Sequence, residues 1–214
     1  MTGLVLEGIP GVGKSRLLAA LRELPEFQAR PSTLVLAEHY TERAIETAVA
    51  PAAVRYERLM YRVLSALEPL RVMTVEGRVF GAEKTRLRYV LERFHLSNVV
   101  LHAAGDRALL RRVENTLRLY HPSTLLLLVE PSEIEARLED SLARRNTCWR
   151  DYLFRHGRDL PEVAEHFARQ QEAFQALAAD SSLPVEVLDM SATSLADAAR
   201  LANELLDQPC PASA

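Results

Sequence analysis

Gly8-Ile9-Pro10-Gly11-Val12-Gly13-Lys14-Ser15 constrains this chain more than any other stretch. It follows the apolar run Leu4-Val5-Leu6-Glu7 and precedes an amphipathic segment that begins at Arg16. The spacing G-x-x-x-x-G-K-S therefore stands between a buried strand and a helix. Gly8, Gly11 and Gly13 let the backbone enter conformations closed to other residues, so that its N–H groups converge on an anion. The start of the following helix adds positive potential at the same point. Lys14 supplies a cation for the β- and γ-phosphates of a nucleotide, and Ser15 an oxygen for Mg2+. The binding set read from the motif is Gly8, Pro10, Gly11, Val12, Gly13, Lys14, Ser15 and Arg16, and the ligand expected there is ATP with Mg2+. Of 26 basic residues only Lys14 and Lys84 are lysine, so one of the two falls in this loop.

The rest of the chain reads as alternating strands and helices. Short Val- and Leu-rich runs at 4–7, 33–38, 87–92, 124–130 and 184–190 lack polar alternation, as expected of strands covered on both faces. Between them, segments at 14–24, 54–67, 106–119, 132–146, 162–179 and 194–206 carry apolar residues three or four apart, as at Ile134, Leu138 and Leu142. Pro25, Pro69 and Pro122 stand as stops, Ser132 with Glu135 as a capping box, and 180–182 as a loop. Residues 70–85 are open between strand, helix extension and loop. The pattern predicts one α/β domain over 1–207, with a five-stranded parallel sheet covered by helices on both faces, and a disordered tail over 208–214.

Composition removes several function classes. With 214 residues, 26% charged and a formal net charge of −3, the chain has the size of one domain and no basic excess for nucleic acid or an anionic membrane. Its apolar runs are far shorter than the ~20 residues that span a bilayer, and no export segment is visible, so a cytoplasmic protein is expected. Cys148 and Cys210 read as free thiols, too few for a structural zinc site. An N-K-x-D element, by which signalling GTPases read guanine, is missing, because Lys84 lies in Ala82-Glu83-Lys84-Thr85.

On four places the chain resembles the thymidylate kinase and deoxynucleoside kinase group of P-loop phosphotransferases. They are Leu4–Gly8 leading into the loop; Leu36-Ala37-Glu38-His39-Tyr40 at the end of the second strand; Glu92-Arg93 at the end of the third; and Glu130-Pro131-Ser132-Glu133 followed by Arg137, Arg144 and Arg145 after the fourth. Pro10 stands where thymidylate kinases usually carry an acidic residue, which argues against ordinary thymidylate kinase activity. The resemblance implies the three-layer P-loop NTPase fold with strand order 2-3-1-4-5. It also implies Glu38 as general base on an accepting hydroxyl, Glu92 with Ser15 near the metal, and Arg93 on the acceptor. Arg144, Arg145 or Arg150 would close over the transferring phosphate. The expected activity is that of an ATP- and Mg2+-dependent small-molecule kinase whose acceptor is a nucleoside, a nucleotide or another hydroxylated metabolite. A switch-type NTPase without such an acceptor is the alternative, and a homodimer is left open. His39, His95 and the series Tyr56, Arg58, Tyr61 and Arg62 are weaker candidates for an acceptor pocket.

Overall fold

The computed structural model describes residues 1–30, 32–41, 52–79 and 87–208. Its elements, in chain order, are β1 (Thr2–Glu7), α1 (Lys14–Glu23), α2 (Pro25–Gln28), β2 (Thr33–Leu36), α3 (Glu38–Thr41), α4 (Ala52–Val79), β3 (Arg88–Glu92), α5 (His95–His102) and α6 (Arg107–Leu117). Then follow β4 (Pro122–Leu128), α7 (Ile134–Arg144), α8 (Thr147–Leu153), α9 (Leu160–Ala179), β5 (Val185–Asp189) and α10 (Leu195–Asp207). The five strands pair in parallel in the order β2-β3-β1-β4-β5, the order that the resemblance implies.

The central strand is apolar because both of its faces are covered. Leu4, Val5 and Leu6 are wholly buried, as are Val90 and Leu91 of β3 and Leu125, Leu126 and Leu127 of β4. Gly3 pairs in register with Tyr89, and a Cβ at Gly3 would collide with the Tyr89 ring. The small residue on one strand thus makes room for the large one on its neighbour. Helix α10 packs on α1 and β1, and α9 packs on α5, α7 and β4, so helices cover both sides of the sheet. All strands run the same way, so the turns after β1, β2, β3 and β4 gather at one edge, where a ligand is expected in such sheets. At the opposite end Arg88 is fully buried. It donates to Phe27 O at 3.2 Å and to Asp207 Oδ1 at 3.3 Å, tying β3 to α2 and α10.

Several local expectations are corrected. Strand β2 ends at Leu36, and Glu38 opens the short helix α3 rather than closing the strand. Pro69 does not stop a helix, for α4 runs through it to Val79. Burial of Leu59, Val63 and Leu67 on one face of α4 outweighs the missing N–H. That settles 70–79 as helix, while 80–86, including Lys84, and the tail from 209 onward, including Cys210, lie outside the described residues. Ser132 makes no capping box: Pro131 opens a 3-10 turn, α7 starts at Ile134 without a side-chain cap, and Glu133 turns to Arg137 and Ser191. Asp106, Asn146, Asp159 and Ser194 do cap their helices. Helix α5, directly after the Glu92-Arg93 pair, is not anticipated by the sequence reading. Among the described residues no helix is long and apolar enough to cross a membrane.

Candidate functional site

The turn after β1 bends as its residue types require. Gly8, Gly11 and Gly13 all have positive φ, and Gly13 stands in the left-handed region as the N-cap of α1. A Cβ at Gly8 would lie 2.5 Å from the Leu127 carbonyl oxygen, so only glycine fits between β1 and β4. Val12 is wholly buried in the core beneath the loop and does not line the cavity that the loop borders. Lys14 leaves the first turn of α1 and folds back, its Nζ donating to Gly8 O and Ile9 O at 2.8 Å each. Burial, with the Arg93 guanidinium nearby, pushes this ammonium down to about 7, against the pull of Glu38, Glu92 and Glu7.

The ends of β2 and β3 bring the acids to the loop. Glu92 pairs in register with Leu6 of β1, and Ser15 Oγ donates to its Oε1 at 2.7 Å. A hydroxyl and a carboxylate side by side are the hard oxygen donors that Mg2+ takes, one or two from protein and the rest from phosphate and water. The residues present therefore fit that ion. Arg93 is buried and holds a positive φ of 56°; its Nε lies 3.3 Å from Glu38 Oε2. Thr41 Oγ1 donates to the Glu92 carbonyl oxygen, which ties α3, and Glu38 with it, to the same turn.

Lys14, Ser15, Glu38 and Arg93 open into one cavity of about 330 Å³ whose other lining residues are Pro10, Gly11, Gly13, Arg16, Arg137, Asp140, Ser141, Arg144, Arg145 and Trp149. Glu92 is not on its wall and meets it through Ser15. Cationic side chains outnumber carboxylates among its lining residues, which suits a polyanion. Arg144 pairs with Asp140 one turn back on α7. Arg145 lays its guanidinium over the Trp149 ring, 4.3 Å from the centroid, and Tyr152 stacks on the indole at 5.3 Å. Arg137 joins them, held by Glu133 at 2.9 Å and the Met190 carbonyl oxygen at 3.0 Å. Arg150, the residue after Trp149, is not among the lining residues and sits over Phe154 instead. Trp149, Asp140 and Ser141 are cavity residues that sequence reasoning misses; a lone Trp beside an arginine pair is the signal that was there to read.

The weaker candidates separate from this cavity. Tyr56 and Tyr61 line a second, apolar cavity of about 290 Å³ between α4 and α6, and Arg58 and Arg62 are exposed. His95 is fully buried in the core, 3.8 Å from both Glu7 and Glu114, and burial pushes its imidazole down despite these acids. The side chain of His39 lies outside the described residues.

No protein-family model matches the chain, and no match is found among curated proteins. Among solved structures the chain is similar in fold to the YorR protein from Bacillus subtilis, determined in complex with phosphorylated GDP. The match covers 96% of this chain and 95% of that one at 16% identity, with a TM-score of 0.55.

Proposed function

We propose that the protein is an ATP- and Mg2+-dependent phosphotransferase acting on a small acceptor, a nucleoside, a nucleotide or another hydroxylated metabolite, with residues 1–207 working as one domain. The observation that carries this reading is the convergence of Lys14, Ser15, the Glu38–Arg93 pair and Arg144 and Arg145 on one cation-lined cavity, with Glu92 joined to it through its hydrogen bond from Ser15. The nucleotide in the YorR complex supports it.

In this reading Lys14 and the N–H groups of 8–15 hold the β- and γ-phosphates. Ser15 with Glu92 would hold Mg2+, which would supply charge neutralisation at the phosphates. Glu38 accepts the proton of the acceptor hydroxyl while its oxygen bonds to the γ-phosphorus, and the bridging oxygen leaves on ADP with the electron pair. Arg93 orients the acceptor. Arg144 and Arg145 cover the moving phosphoryl group and keep water from replacing the acceptor.

The test is a panel of nucleosides, nucleotides and hydroxylated metabolites scored for acceptor-dependent ADP release, with Lys14→Ala as the inactive control. Release that depends on one acceptor class and vanishes in Lys14→Ala supports the reading. Steady ATP hydrolysis indifferent to every acceptor overturns it in favour of a switch-type NTPase.

A further inference from the structure

We infer that Glu7 is a positioning residue that couples the phosphate loop to the Glu92-Arg93 turn and so sets the magnesium-dependent part of nucleotide binding. This rests on the reading of Glu92 and Ser15 given above, and it concerns a residue that makes no contact with the proposed ligand.

Glu7 is the last residue of β1 and directly precedes Gly8. Its side chain is wholly buried and does not line the cavity. It reaches instead across to the start of α5. Oε1 accepts from Phe94 N and Leu96 N at 3.0 Å each; Oε2 accepts from Ser97 N at 3.3 Å and from Ser97 Oγ. Helix α5 has no capping side chain of its own, since Phe94 occupies the N-cap position. The backbone donors that every helix start leaves unpaired are here met by a carboxylate from another strand.

The turn that this carboxylate holds is one the chain would not adopt unaided. Arg93 has φ of 56°, a conformation that residues with a side chain rarely take, and Phe94 follows at φ −151° and ψ −104°. Leu6 O accepts from Arg93 N at 2.9 Å, so the last two residues of β1 grip the turn, one by backbone and one by side chain. On the far side Asn98 Nδ2 donates to Phe94 O at 2.5 Å and to Thr41 O at 3.4 Å, joining the same helix start to α3. The β1–β3 ladder brings Glu92 beside Leu6, and this arrangement holds the residues directly after it, where the strand end meets Ser15. A glutamine at position 7 would keep the shape but replace one acceptor by an NH2 group facing N–H donors.

The experiment measures ATP affinity by titration calorimetry, with Mg2+ and with EDTA, in the unaltered protein, Glu7→Gln, Ser97→Ala, Glu92→Gln and the Glu7→Gln/Glu92→Gln pair. The unaltered protein is expected to bind ATP more tightly with Mg2+. Glu7→Gln is expected to keep its metal-free affinity within about threefold and to lose the metal-dependent gain by about 10–100-fold, as supporting residues of metal sites do. Combined with Glu92→Gln it should add nothing further, because both act on one arrangement. Should Glu7→Gln fail to fold, Ser97→Ala, which removes one of the four bonds, decides: a selective loss of about threefold in the same gain supports the inference. A folded Glu7→Gln or Ser97→Ala that keeps the full gain overturns it. So does one that loses affinity equally with and without the metal, which marks a merely structural role. Absence of a metal-dependent gain in the unaltered protein overturns it also. Absence of any ATP binding there is a different result, which overturns the nucleotide reading and this inference with it.

Discussion

Ser15 and Glu92, 77 residues apart in the chain, are joined by a hydrogen bond of 2.7 Å from the serine hydroxyl to the carboxylate. The parallel pairing of β1 with β3, which sets Leu6 beside Glu92, brings the helix start and the strand end to the same point. Glu92→Gln preserves the shape and removes the charge. It is expected to leave metal-free ATP affinity unchanged and to weaken affinity at saturating Mg2+ by about tenfold or more. Titration calorimetry with and without the metal checks this, and equal affinity at saturating Mg2+ removes Glu92 from the site.

Lys14 gives the site a pH dependence of definite sign. Its ammonium is pushed down to about 7 in the free protein, and a bound phosphate stabilises the charged form, so binding draws a proton from solvent above that pH. Nucleotide affinity is therefore expected to be greatest below about 7 and to fall as pH rises through it. Calorimetry at pH 8 in buffers of different ionisation enthalpy should register up to one proton taken up. Lys14→Ala should lose most of the affinity, and with it the proton. Folding shows the opposite slope: the unfolded lysine titrates near 10.5, the unfolded chain holds more protons between 7 and 10.5, and this group's contribution to stability rises with pH across that window. Lys14→Met flattens it.

Gly8 differs from Gly105, a positive-φ glycine outside the loop, in what surrounds it. At Gly8 an added Cβ meets the Leu127 carbonyl oxygen at 2.5 Å, whereas at Gly105, with φ of 77°, nothing lies within 4 Å. Gly105→Ala carries only the backbone cost, about 1 kcal/mol. Gly8→Ala adds a clash with a sheet that cannot move away, and a loss of about 2–4 kcal/mol is expected. Urea unfolding of the two variants side by side measures the gap, and equal losses would show that β4 yields.

What the sequence makes legible follows from where each signal originates. The inner strands β1, β3 and β4 are readable because burial on both faces leaves runs rich in Val and Leu, whereas the edge strand β5 is partly exposed, with Glu186 and Val187 facing outward. The loop is readable because its glycines, Lys14 and Ser15 lie within eight residues. Helix α5 is not readable. Its start is stabilised by Glu7, between 87 and 90 positions earlier, and no local cap marks it. Nor does any residue near Arg93 advertise a positive φ, since the strain is maintained by β1. Pro69 misleads for the same reason in reverse, a local stop overridden by the burial of Leu59, Val63 and Leu67 on one face of α4. The cavity wall is partly legible: Arg144 and Arg145 are there to be found, but which arginine faces inward depends on how α7 gives way to α8 at Asn146, which no period discloses.

That junction separates three arginines in their expected effects. Arg144 and Arg145 line the cavity and Arg150 does not. Arg144 is tied to Asp140 on an exposed helix face, where such pairs hold weakly and a phosphate competes easily. Arg145 is held flat by Trp149, a contact that orients its guanidinium without spending its N–H donors. Arg144→Ala and Arg145→Ala are each expected to lower phosphoryl transfer by about tenfold or more, as loss of a charge-stabilising arginine does in such reactions, and Arg150→Ala to leave it within about twofold. Asp140→Asn, by releasing Arg144, should raise nucleotide affinity by about two- to threefold. Trp149 is the sole tryptophan of the chain, so its emission reports directly whether a ligand has entered beside Arg145. An Arg150→Ala variant as impaired as Arg145→Ala would mean that α8 turns over during closure and presents its other face to the phosphate.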